Sequence, residues 1–181
     1  MDSFEREKIL SCKLPQGSYT LFSYKVENPS MRVPFDIIPN IVKVEKGRFK
    51  MTMKVKSNMI RGVFYIISDY NIKIYLPINT KIQEVSATKG ITKITEKENN
   101  ILWKIGVFDK IDEVTLTANF DGDYEKVEDL EKIIACVKYQ VESYTYSNLK
   151  IEKATFEDEK TKLSKKARLL AKSGFYEIRL N

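Results

Sequence analysis

Apolar and polar residues alternate one for one in several stretches of this chain. Phe49, Met51, Met53 and Val55 are separated by Lys50, Thr52, Lys54 and Lys56. Successive side chains of an extended strand point to opposite faces, so this pattern makes one dry face and one basic face; a helix would scatter the same residues around its surface. The period recurs in Ile72, Ile74 and Leu76, which Pro77 ends. It returns in Ile101, Trp103, Ile105 and Val107, with Lys104 facing out, in Val114, Leu116, Ala118 and Phe120, and in Val137, Tyr139 and Val141. Phe22, Tyr24 and Val26 share a face of an expected strand over Thr20–Val26. Leu149 and Ile151 keep the period, and Ala154 and Phe156 resume it out of phase, as a bulge at Glu152-Lys153 would produce. About nine or ten such strands suit an all-β sandwich. Met51, Met53 and Trp103 are then core side chains rather than ligand contacts.

Turn chemistry separates the strands. Pro15, Gln16 and Gly17 form a turn, and Asn28-Pro29-Ser30 reads as a linker. Pro34 and Pro39 bracket a short edge strand, Phe35–Ile38. A connection is expected over Ser57–Ser68 and a hairpin turn at Asn99-Asn100. Two stretches read as helix by local criteria. Tyr124, Val127, Leu130, Ile133, Ile134 and Val137 have helical spacing, which predicts a short helix near Glu125–Ile133 and a strand from about Cys136. Leu163–Lys172 is rich in Ala, Leu, Lys and Arg, with Gly174 where a C-terminal cap belongs.

Catalysis finds little support in the residue types present. There is no histidine, hence no ordinary general base near neutral pH and none of the commonest metal ligand. Cys12 and Cys136 are too few for a disulfide framework and too far apart in sequence for a metal motif. No phosphate-binding or nucleophile-elbow glycine motif occurs. Asp121/Asp123 and Glu157/Asp158/Glu159 fall in polar, turn-like segments and read as solvated. The expectation is therefore no enzyme, no cofactor and no metal. No signal-peptide core follows Met1, and no run of about 18 apolar residues occurs, so a reducing, cytoplasmic setting is expected.

The formal charge is +6, and residues 159–181 carry seven Lys or Arg against two Glu. A basic surface facing an anionic partner is one reading and a solvated charged face the other. Nucleic acid is a rival partner, since basic sheets with tyrosines can track phosphates and stack bases. The ten tyrosines are scattered, however, and no nucleic-acid motif accompanies them, so none is expected to bind.

The segments Lys138-Tyr139-Gln140-Val141, Ser147-Asn148-Leu149-Lys150-Ile151, Arg168 and Ser173-Gly174-Phe175-Tyr176-Glu177-Ile178-Arg179, at their spacing, resemble the end of the medium (mu) subunit of clathrin adaptor complexes. Pro15-Gln16-Gly17, Ser57-Asn58, Leu76-Pro77, Lys89-Gly90, Glu98-Asn99 and Trp103-Lys104 also fall where that family carries them. The likeness runs from near residue 3 to the end.

It implies an immunoglobulin-like β-sandwich of the mu homology domain type, in two subdomains. Residues 29–144 would form the contiguous one. Residues 1–28 and 145–181 would form the other, incomplete at its N-terminal side, as in a fragment or a reduced version of a medium subunit. Leu163–Lys172 would be extended despite its propensity. The implied role is a non-enzymatic coat component working with large and small subunits in a heterotetramer, peripheral on coated vesicles, coated pits or trans-Golgi membranes. Coatomer delta subunit, stonins and muniscins share the fold and are the alternative.

Two sites follow from the resemblance. Lys89, Lys93 and Lys104 match lysines that bind phosphoinositide headgroups, whereas Ile91 and Thr95 stand where relatives carry lysine. Arg168 matches the arginine of the pocket for Tyr-x-x-hydrophobe cargo tails. Lys166 replaces that pocket's tryptophan, and Ile151, Ala154 and Ala167 would line the hydrophobic subsite. The remaining pocket partners come from early strands that the likeness does not reach, so a weak or incomplete cargo site is expected.

Overall fold

The structure is a computed structural model. It describes residues 33–60, 62–63, 65–108, 113–127, 130, 133–147, 168–173 and 176–180, together with 17, 18, 20, 23 and 25. The strands are β1 (Phe35–Glu45), β2 (Arg48–Ser57), β3 (Ile67–Tyr75), β4 (Thr80–Ala87), β5 (Ile91–Thr95), β6 (Asn100–Phe108), β7 (Glu113–Gly122), β8 (Ile133–Glu142), β9 (Leu170–Lys172) and β10 (Tyr176–Leu180). The chain is nearly all β, as the alternation predicts, and the described residues contain no α-helix.

The strands form two antiparallel sheets. One has the order β1-β2-β7-β4; the other runs β10-β8-β3-β6-β5, with β9 also against β8. Phe49, Met51, Met53 and Val55 of β2 are all fully buried, opposite Phe120, Ala118, Leu116 and Val114 of β7. Across the interior stand Ile72 and Ile74 of β3, Ile101 and Trp103 of β6, and Ala135 and Val137 of β8. These inward rows make one continuous core, in which each fully buried large side chain is worth about 1.5–3 kcal/mol. Met51, Met53 and Trp103 belong to it, as read from the sequence.

Four local expectations change. The first strand is not confined between its prolines: β1 continues through Pro39, which sits opposite Met53. β1 is the outermost strand of its sheet among the described residues, where a missing ladder donor is tolerated. The alternation in β6 slips at Gly106, which takes φ +82° where β3 shifts register. Val107 therefore turns outward, 58% exposed, and Phe108 takes the buried place. The connection expected to reach Ser68 stops sooner, because β3 begins at Ile67.

The strand expected from about Cys136 starts at Ile133. Ile133 and Ala135 are buried opposite Leu180 and Ile178 of β10, so sheet pairing overrides the helical spacing. Before it, Leu130 N–H donates to Val127 O at 3.0 Å in a single turn; residues 128–129 and 131–132 lie outside the described residues.

At the C-terminal end, Leu170–Lys172 is a strand despite its helix-forming residues, paired with Glu142, Val141 and Gln140. Residues 163–167, most of the expected strand at Thr20–Val26, and the segment with Leu149, Ala154 and Phe156 lie outside the described residues. β9 and β10 both hydrogen-bond to β8, so these closing strands extend the six-stranded sheet.

Candidate functional site

The strands of the six-stranded sheet bring its basic residues onto one outer face. Cross-strand partners in an antiparallel sheet point the same way. Ile91 of β5 faces Lys104 of β6, Lys104 faces Asn71 of β3, and Asn71 faces Lys138 of β8. The next row holds Lys93, Leu102, Lys73, Cys136 and Glu177. Lys93 and Lys104 are thus diagonal neighbours on exposed backbone, roughly 7–8 Å apart. Ile91, 71% exposed, stands beside them.

The hairpin that carries these lysines is held by two fixed points. Chain passage from β4 to β5 moves from one sheet to the other through Thr88–Gly90. Gly90 has φ +90°, and a Cβ there would run into the Lys104 carbonyl oxygen and come within 2.9 Å of Ile105 Cα. Only glycine fits that approach. Trp103, fully buried, donates its indole N–H to the Lys89 carbonyl at 2.8 Å. At the other end, the one-turn 3-10 segment Glu96–Glu98 ends on Asn99 with φ +47°, which closes the turn expected at Asn99-Asn100.

Lys89 differs from the other two. It lies in the crossover rather than on the outer face, with Nζ 5.9 Å from the centroid of the Phe108 ring. The structure therefore brings Lys93 and Lys104 together and holds Lys89 to one side through its peptide group.

Lys73 is a member of the face that the sequence reading passed over. Its Nζ is 2.7 Å from Glu98 Oε2, which also accepts from Asn100 Nδ2 at 2.8 Å. The hydrogen bond to Glu98, with a smaller one to Tyr75, raises the Lys73 ammonium above its ordinary value, and the same bond holds Glu98 below the usual carboxylate range. Lys138 was also missed. Both had a usable signal, since each is the outward residue between two inward apolar ones. Their adjacency to Lys104 depends on register between strands, which no local pattern carries.

Among the described residues, none of Lys93, Lys104, Lys138 and Lys172 has an ion-pair partner. Cys136, half-buried, faces Lys73 across the β3–β8 pairing, and burial pushes its thiol up. No three His, Cys, Asp or Glu side chains among the described residues come together as metal ligands, and no described helix is long and apolar enough to cross a membrane.

The second expected site is only partly visible. Arg168 is exposed just before β9, with Nη2 2.7 Å from Glu142 Oε1. Lys166, Ile151, Ala154 and Ala167 lie outside the described residues.

Comparisons with known proteins bear on the whole chain. A sequence model of the "Adaptor complexes medium subunit family" matches residues 1–180. An AP-2 complex subunit mu of Caenorhabditis elegans is 27% identical over 99% of this chain and 42% of its own length. One from Saccharomyces cerevisiae is 23% identical over 99% of this chain and 37% of its own length. The chain thus spans less than half of either relative. Among solved structures, the Fcho1 mu homology domain of Danio rerio with bound Eps15 peptide is similar over 78% of this chain and 43% of that one, with a TM-score of 0.49 and 8% identity.

Proposed function

Since the chain belongs to the adaptor complexes medium subunit family, we propose that it is a non-enzymatic segment of a vesicle-coat adaptor, acting in intracellular transport at the cytoplasmic side of a membrane. The observation that carries this is the family match along residues 1–180. The Caenorhabditis elegans and Saccharomyces cerevisiae relatives are AP-2 mu subunits, which supports the plasma-membrane type. The partners are then the large and small subunits of a heterotetramer, and co-purification with them tests the assignment. Residues 29–144 act as the contiguous subdomain, whose six-stranded sheet β9 and β10 join, and 1–28 with the rest of 145–181 contribute to the second.

The membrane role rests on Lys93 and Lys104, which share an exposed face without ion-pair partners among the described residues. Each lysine near an anionic surface contributes about 1 kcal/mol, screened within about 8 Å at physiological salt. Replacement of Lys89, Lys93 and Lys104 by alanine is expected to weaken binding to phosphoinositide vesicles, with Lys89 contributing least. Unchanged binding by the triple variant rules the patch out.

For cargo, Arg168 is the residue of the tyrosine pocket, and this chain alone binds Tyr-x-x-hydrophobe peptides weakly or not at all. A tryptophan wall replaced by Lys166 costs about 1–3 kcal/mol. Titration of a Tyr-x-x-Leu peptide against the chain and Arg168→Ala is the test. Micromolar binding that depends on Arg168 refutes an incomplete site.

A further inference from the structure

We propose that the outer face of the six-stranded sheet holds a second anion site, a recess between Lys138 and Lys172 that receives an inositol-ring phosphate of a membrane lipid. The inference rests on the membrane reading of that face and extends it beyond the β5–β6 hairpin.

The recess has a volume of about 280 Å³, just under the range of roughly 300–1,000 Å³ for pockets that take whole small molecules. It suits one phosphate group with a little water. A backbone irregularity opens it. Asp69 of β3 has φ +50°, and the β3–β8 register shifts between Ser68 and Asn71, so the pairing with β8 lapses at Asp69 and Tyr70. On the other edge of β8 the chain passes from β9 towards β10. Tyr139 N–H donates to Ser173 Oγ at 2.8 Å, and Ser173 N–H returns a bond to Tyr139 O at 2.9 Å. Because Ser173 Oγ accepts that bond, its own proton is left to donate to an anion.

The charges favour a phosphate. Lys172 is the partner of Gln140 and therefore the diagonal neighbour of Lys138, roughly 7–8 Å away. The carboxylate in the lining, Asp69, is already engaged, since its Oδ2 accepts from Gln140 Nε2. Asn71 Nδ2 is bonded to the Asp69 carbonyl at 2.7 Å, which fixes the loop that walls the recess. Two ammonium groups thus outnumber the one carboxylate, which keeps its charge.

The lipid assignment comes from the shape of the face. Lys104, Asn71 and Lys138 lie in one row across three strands, so the recess is roughly 10 Å from Lys104 along the sheet. The same row ends in the exposed Ile91. A flat array of lysines with an apolar side chain among them suits a headgroup layer better than a lone soluble phosphate.

The test uses the full chain and phosphatidylcholine vesicles with and without phosphatidylinositol bisphosphate. Lys138→Ala/Lys172→Ala is expected to weaken binding about tenfold or more, from about fivefold per lysine. Lys50→Ala/Lys56→Ala removes the same charge from the opposite sheet and is expected to leave binding unchanged. Equal loss in that control, or equal loss on phosphatidylserine vesicles, means general attraction and overturns the site. Parental binding by Lys138→Ala/Lys172→Ala, alongside weakened binding by Lys93→Ala/Lys104→Ala, overturns this site and leaves the membrane reading intact. The reverse pattern keeps this site and removes the hairpin patch. A parent chain that binds neither vesicle, or that binds single-stranded nucleic acid through the same two lysines, also overturns the proposal. Soluble inositol trisphosphate supplies the free-phosphate arm: it should shift the amide resonances of Tyr139 and Ser173 in the parent and not in the double variant.

Discussion

Tyr70 is fully buried, with its ring centroid 4.9 Å from that of Phe35 and 5.9 Å from that of Phe108. Its hydroxyl has no hydrogen-bond partner among the described residues. A buried hydroxyl left unpaired costs about 1–3 kcal/mol. Tyr70→Phe keeps the ring and removes that cost, so we expect the variant to be more stable by about 1–2 kcal/mol in urea unfolding. A loss of similar size would mean that the hydroxyl is partnered in solution. Individual inward residues were legible in the sequence because burial follows a period of two, and Met51, Met53, Trp103 and Val137 are where that period places them. Partnerships were not legible. Lys73 and Glu98 are 25 residues apart, and only the β3–β6 pairing and the turn after β5 bring them together. Arg168 was singled out by resemblance alone, and its visible partner, Glu142, follows from β9 lying on β8.

Among the elements, the β5–β6 hairpin depends most on a single position. Gly90 combines φ +90° with backbone contact to Lys104 and Ile105. Left-handed backbone costs an alanine about 1–2 kcal/mol, and the overlap adds about 1–3 kcal/mol. We expect Gly90→Ala to destabilise the chain by about 2–4 kcal/mol and to weaken vesicle binding beyond what unfolding explains, because the hairpin carrying Lys93 shifts against β6. Full stability with parental binding would show that the crossover can rearrange freely. The strands themselves could be read from alternation, but their irregularities could not. Val107 was expected inside because a glycine in a strand marks a possible bulge without fixing the phase beyond it, which the shift against β3 decides. Ile133 was given to a helix because Tyr124, Val127 and Leu130 share its helical spacing, and only pairing with Leu180, far along the chain, decides otherwise. In each case the deciding contact is long-range, and sheet context overrides a weak local preference.

Across the whole molecule, one aromatic group ties the two sheets and the C-terminal strand together. Phe35 of β1 stands 4.9 Å from both Tyr70 of β3 and Tyr139 of β8, and 6.1 Å from Tyr176 of β10. The Tyr139 hydroxyl is hydrogen-bonded to that of Tyr146. Burial pushes the Tyr70 phenol well above its ordinary value, and the neighbouring phenols of Tyr139 and Tyr176 add to this. Burial likewise raises Tyr139 and Tyr146, which share a hydrogen bond. A phenol raised in the folded state keeps its proton after the unfolded chain has lost it. Below about pH 10 both states are protonated and the stabilisation is complete. Above about pH 10 the unfolded state binds fewer protons, so stability falls as pH rises towards the folded value, by about 1.4 kcal/mol per pH unit for Tyr70 alone. Alkaline titration should therefore show a late, cooperative step. Tyr70, Tyr139 and Tyr146 ionise together, in the same step in which the far-ultraviolet β signal disappears. The phenolate absorbance at alkaline pH, followed alongside circular dichroism, makes the comparison. Complete ionisation of all tyrosines before any loss of β signal would show that this cluster is open to solvent and does not hold the sheets together. In Tyr70→Phe the unfolding step should move to higher pH, because the group that titrates most unfavourably in the folded core has been removed while its packing remains.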